Sequence, residues 1–214
     1  MKIYYVYDVL CGWCYGFSPV IQKFAAEHQD ELTFEVISGG MVTGDRIGPI
    51  GEVAGYIGEA YKDVERATGV EFGEDFLGGT LADGTAIFTS VPPALAMRVF
   101  KHMQPQRALD FAARMQKAIY YDGMAPKDKQ GYGQLASEFG LDPQSFVLQM
   151  DDATTLMTAQ AEFKLTQQWG INGFPTLLLE YGKDESIGIL SRGYLPYEQL
   201  EQTYQRAKTV ISDQ

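Results

Sequence analysis

The chain of 214 residues contains two cysteines, and both lie in the stretch Tyr7-Asp8-Val9-Leu10-Cys11-Gly12-Trp13-Cys14. Four kinds of chemistry are open to Cys-x-x-Cys. A structural zinc site takes four ligands, so with no third cysteine it would need His28 and His102 to converge on the pair, or a second chain to contribute. A structural staple over so small a loop removes little entropy from the unfolded chain. Two unrelated thiols can also simply pack as small apolar groups. The fourth reading, a reactive dithiol, depends on the elements that hold the pair.

Ile3 to Val9 alternates and is rich in β-branched and aromatic residues, which predicts a strand ending just before Cys11. Phe17, Val20, Ile21, Phe24 and Ala25 then fall on one helical stripe, with an end expected near His28. The cysteines are therefore placed at a strand-to-helix junction. There the unpaired backbone N–H groups and the positive end of the helix dipole stabilise a thiolate, which makes Cys11 the expected nucleophile. Cys14, one turn further and sheltered, is expected to attack the mixed disulfide formed at Cys11 and release the product as a thiol.

Leu32 to Ser38 predicts a second strand, stopping at Gly39-Gly40 and completing a βαβ unit. From Gly39 to Thr89 the glycine content predicts loops around short helices. Helices follow: one capped by Ser90 before Pro92-Pro93, a stripe from Ala108 to Ile119, one ending at Gly140, a short one opened by Asp142-Pro143, and a longer one over about 153–169. Thr176 to Tyr181 and Ser186 to Leu190 read as a hairpin, and Pro196 opens a last helix with Leu200, Tyr204, Ala207 and Ile211 on one face. The fold class expected is α/β, a mixed four-stranded sheet with a large helical insertion. Residues 1–38 and 171–214 would form the sheet domain and 39–170 the mostly helical insert.

The formal charge of -11 argues against nucleic-acid and anionic-membrane partners, whose phosphates the summed field repels. No apolar stretch approaches the roughly 18 residues of a membrane span. The chain opens directly into a strand pattern and uses few cysteines, so a cytoplasmic location is expected, or a periplasmic one if a signal has been removed.

Cys-x-x-Cys beside a βαβ pattern is a thioredoxin-like redox signature. The sequence resembles the thioredoxin superfamily, and its long helical insert resembles the DsbA branch, especially FrnE-like members with the form Asp-x-x-Cys-x-Trp-Cys. Asp8, Trp13 and the stretch Gly173-Phe174-Pro175-Thr176 carry that likeness, and Pro19 has a thioredoxin counterpart. The resemblance implies a cis Pro175 facing the cysteine pair, and substrate contacts at Gly12, Trp13, Phe174, Pro175 and Thr176. Gly12-Trp13 stands where DsbA has Pro-His, so DsbA's oxidising strength is not implied.

Asp8 is either a buried proton acceptor for Cys14 or a solvated residue at a strand end. Trp13 and Phe174 either form an apolar rim for substrate or pack under the insert. His28 and His102 fit dipole contacts at helix ends, and Met97, Met103 and Met115 fit core filling. The expected function is thiol–disulfide exchange or disulfide isomerisation on protein or peptide substrates. It would use no cofactor beyond the two thiols, with glutathione as a redox partner. Two alternatives stand beside it. One is a glutathione-dependent enzyme of the kappa-transferase or 2-hydroxychromene-2-carboxylate isomerase type, and the other is a redox-sensitive or metal-binding partner module. Direction of exchange, substrate identity and oligomeric state stay open.

Overall fold

The computed structural model describes residues 1–212; Asp213 and Gln214, at the end of the expected 171–214 segment, lie outside the described residues. The chain opens as β1 (Lys2–Tyr7), α1 (Gly12–Glu27) and β2 (Thr33–Ser38), then β3 (Gly48–Pro49), α2 (Ala54–Thr68), a π-helical stretch at Asp75–Leu81 and β4 (Ile87–Phe88). Five helices follow: α3 (Val91–Met103), α4 (Ala108–Tyr120), α5 (Lys129–Ser137), α6 (Pro143–Met150) and α7 (Ala153–Gln168). The chain closes with β5 (Thr176–Tyr181), β6 (Ser186–Arg192) and α8 (Tyr197–Ser212).

The main sheet runs β2-β1-β5-β6. β1 pairs parallel with β2 (Tyr5 opposite Val36) and antiparallel with β5 (Val6 opposite Thr176), and β5 pairs antiparallel with β6. Strand alternation divides the apolar side chains between the two faces. Ile3, Tyr5, Tyr7, Val36, Leu177 and Leu179 enter the large core with Phe17, Ile21 and Phe24 of α1. Val6, Ile37 and Leu178 form a second cluster with Ile171 and the ring of Trp169. Each face of the sheet thus carries an apolar cluster, while Ile187 and Ile189 of β6 stay exposed, and α1 opens just beyond the end of β1.

Most expected elements form where their residue pattern places them. Asp142 and Asp152 cap α6 and α7 through the backbone N–H groups of Ser145 and Thr154. Met97 and Met115 are fully buried and Met103 packs against the same core. The region expected as loops around short helices differs. It contains the fifteen-residue α2 and a small antiparallel pair, β3 with β4. α2 packs on α1 so closely that a Cβ on Gly16 would stand 2.7 Å from the Thr68 side chain. Only Val64 of α2 is buried, because the apolar face of the helix, with Ile57, Ala60 and Tyr61, lines an open cleft instead of filling the core.

Candidate active site

β1 carries Asp8 to the rim of the sheet, and after Val9 and Leu10 the chain enters α1 directly. Cys11 is the N-cap, with extended backbone, and its sulfur accepts the backbone N–H of Cys14 at 3.3 Å. That is the position Ser, Thr, Asp or Asn usually fills, so here a sulfur satisfies one of the unpaired donors of the helix start. The Cys11 thiol also donates to the carbonyl of Phe174, 3.4 Å away across the junction. Cys11 retains 7 % exposure whereas Cys14 has none, so only the first sulfur can meet a large molecule. Burial, and after it the hydrogen bond and charge of Cys11, push the Cys14 thiol well above its ordinary range.

Asp8 is 3 % exposed, which removes the reading of a solvated strand end. One carboxylate oxygen accepts the Leu10 N–H (3.0 Å) and the Ser90 hydroxyl (2.9 Å); the other accepts the Met41 N–H (2.7 Å). Ser90 in turn accepts the Val42 N–H at 2.9 Å and donates its own N–H to the Val42 carbonyl at 2.8 Å. The approach to the cysteines, the 41–42 segment and the start of α3 are thereby tied into one buried knot. Burial raises the Asp8 pKa, and the donors from Met41, Leu10 and Ser90 only partly offset it. Ser90 does not cap α3 as expected. Its backbone is already helical (φ -79°, ψ -6°) and its hydroxyl is spent on Asp8. Beneath the pair, the Ser18 hydroxyl sits between the Cys14 carbonyl (3.2 Å) and Gln116 Oε1 (2.7 Å), and Gln116 Nε2 donates to the Asp8 carbonyl.

Opposite Cys11, the Phe174–Pro175 peptide bond is cis. Pro175 is buried and its carbonyl accepts the Gly193 N–H at 2.7 Å. Thr176, expected at the substrate, is 2 % exposed and turns its hydroxyl back to the Gly173 carbonyl at 2.8 Å, so it closes the turn from beneath. The half-buried ring of Phe174 lies on Gly39, where an added Cβ would stand 2.2 Å from it. Trp13 is half-buried and leans on Tyr194, with ring centroids 6.1 Å apart, so its support comes from the segment after β6 and not from the helical insert.

Cys11, Gly12, Trp13 and Phe174 line one side of a cleft of about 410 Å³. The other wall is α2 with the segment leading into it, including Val53 at 43 % and Tyr56 at 75 % exposure. This wall, Met41 and Gln116 carry no local signal in the sequence, and Ser90 reads there as a helix cap and not as a partner of Asp8. His28 lies at the other end of α1, and among the described residues no group of three or more His, Cys, Asp or Glu side chains is gathered that could hold a metal ion.

The family model described as Thioredoxin matches residues 4–202. The chain belongs to the thioredoxin family. Its like-folded relatives place it in the DsbA-like branch. A provisionally assigned protein disulfide isomerase from Nitrosomonas europaea is 27 % identical, with a TM-score of 0.83 and 96 % of each chain covered. The cytosolic disulfide reductase DsbM from Pseudomonas aeruginosa is 28 % identical, with a TM-score of 0.81, 98 % of this chain and 100 % of that chain covered, and it has also been solved with glutathione. The ClpXP adapter protein SpxH of Halalkalibacterium halodurans is 20 % identical over 92 % of this chain, which spans 64 % of the length of that curated relative. A 2-hydroxychromene-2-carboxylate isomerase shares the fold at 15 % identity and a TM-score of 0.67. Among the described residues no helix is long and apolar enough to cross a membrane.

Proposed function

We propose that this chain is a dithiol–disulfide oxidoreductase that reduces protein or peptide disulfides in the cytoplasm, with Cys11 as nucleophile and Cys14 as resolving thiol. The observation that carries the reading is the arrangement of the two sulfurs. Cys11, which keeps 7 % exposure, receives a helix N–H, and Cys14, with none, lies one turn behind it. The helix start presents a backbone N–H to the Cys11 sulfur, while burial keeps Cys14 protonated until it is needed.

In the first step the Cys11 thiolate attacks one sulfur of the substrate disulfide. A Cys11–substrate disulfide forms, the substrate S–S bond breaks and the other substrate sulfur leaves as a thiolate, taking up a proton. Cys14 then loses its proton and attacks Cys11 Sγ; the Cys11–Cys14 disulfide forms and the second substrate sulfur is released. The substrate has gained two electrons and the protein has lost them. Asp8, buried beside this pair, is the proposed acceptor of the Cys14 proton, and the backbone near the cis Pro175 receives the extended substrate. Recycling requires an external thiol such as glutathione, two molecules of which return the pair to the dithiol. The likeness to a cytosolic disulfide reductase solved with glutathione supports the reducing direction and that partner.

Cys14→Ser should accumulate mixed disulfides with a model disulfide protein, whereas Cys11→Ser and the double variant should accumulate none. Equal trapping by Cys11→Ser would reverse the assignment, and turnover by the double variant equal to wild type would remove thiol chemistry from the reading.

A further inference from the structure

The cleft beside Cys11 has an unequal lining. Of the described residues that form it, Arg46 alone carries a charge, in a protein whose formal net charge is -11. Arg46 is exposed, makes no ion pair among the described residues, and spends one donor on the Gly40 carbonyl at 3.3 Å. A guanidinium presents five N–H donors in a planar fork that matches a carboxylate, so most of its capacity faces outward. Most of the rest of the cleft is apolar, with Val53, Tyr56, Ile57 and Tyr61 on one wall and Trp13 and Phe174 on the other, and Asn172 is a polar exception.

We infer that this cleft selects, as substrate of the exchange proposed above, an extended peptide segment whose cysteine is flanked by an apolar side chain and by a carboxylate that pairs with Arg46. The apolar walls need an aliphatic or aromatic side chain to cover them, which glutathione does not possess; about 410 Å³ also exceeds what a cysteine alone would fill. The net negative charge of the protein disfavours acidic partners overall, so a cation outside any ion pair in the cleft that holds the reactive thiol gives both attraction and register. Arg46 is thus a specificity-determining residue that touches neither reacting sulfur.

The test uses synthetic peptides in which a central cysteine, next to leucine, is disulfide-linked to a chromogenic aryl thiol and carries either Glu or Lys nearby. The reduced full-length protein releases the coloured thiolate, and kcat/KM is compared within each peptide pair. For wild type the Glu peptide should be faster by about fivefold, the scale of an exposed ion pair. Arg46→Gln should bring the ratio near unity and Arg46→Glu should invert it. A ratio that stays the same through both variants overturns the inference while leaving the exchange activity standing. Loss of rate in Arg46→Gln toward glutathione disulfide, with both peptides unaffected, would assign the cation to glutathione and overturn the peptide. Absence of exchange by wild type with any disulfide would sink the proposed function itself.

Discussion

α1 carries titratable side chains at both ends, and the fold treats them in opposite ways. At the N-terminal end Cys14 and Asp8 are almost without exposure, and Asp8 is surrounded by neutral donors with no cation paired to it among the described residues. Burial dominates there and raises both groups, so the charged forms are disfavoured. At the C-terminal end the His28 side chain is 11 % exposed, yet its Nδ1 meets Glu31 Oε1 and its Nε2 meets Glu201 Oε2, each at 2.7 Å. Burial works against the imidazolium, but Glu201 and Glu31 outweigh it and the pKa is raised. Depth alone therefore does not decide the charge state; the presence of a counter-ion does. The redox end is left without one, which costs stability.

The largest way to break this comparison is Asp8→Ala. It strands the Leu10 and Met41 N–H groups and the Ser90 hydroxyl in a buried site, and unsatisfied groups of this kind cost about 1–3 kcal/mol each. With partial relaxation we expect a loss of about 3 kcal/mol in urea unfolding. A loss below about 1 kcal/mol would mean that the knot does not hold the junction. Next comes Gly39→Ala, whose methyl group would collide with the Phe174 ring and displace the carbonyl that faces Cys11. Expected are a loss of about 2 kcal/mol and slower exchange. Placing the same change in a Phe174→Ala background should recover most of the stability, and additive losses would argue that the two residues do not interfere.

The contrast between the two ends also explains what could be read from the sequence. The α1 stripe, the β1 and β5 alternation and the Asp caps are local periodicities, so the sheet and its flanking helices were legible. The placement of Cys11 and Cys14 at a strand-to-helix junction was legible because the strand alternation and the helical stripe flank them directly. Ser90 stands at the start of α3 as its pattern before Pro92-Pro93 predicts, but only the tertiary position of Asp8 redirects its hydroxyl away from the helix N–H groups. α2 was obscured by Gly55 and Gly58 and by an apolar face that lines an open cleft instead of filling the core. The sequence predicts only a dipole contact for His28, because Glu201 is distant along the chain and the bridge to α8 exists only after folding.

The smallest effect sharpens the other end. Because His28 has a folded pKa raised above its unfolded value of about 6.5, its contribution to stability is fully present below that value and is lost as pH rises through the higher folded one. Its carboxylate partners set the opposite limit. Glu31 is held below the usual carboxylate range by Lys208 first and then by His28, and Glu201 is lowered by Gln205 and His28 against the effect of its own burial. Their contribution is lost only as pH falls through those depressed values, so the staple is strongest on the mildly acidic side of neutrality. The difference in urea-unfolding free energy between wild type and His28→Gln should therefore shrink by about 0.5 kcal/mol between mildly acidic and mildly alkaline buffer. Glu201→Gln should remove part of that pH dependence. A difference that stays constant with pH would show that His28 acts through packing against Phe24 and Tyr204, whose rings lie 4.5 and 4.9 Å from the imidazole, and that the two ends of α1 are less unlike than their hydrogen bonds suggest.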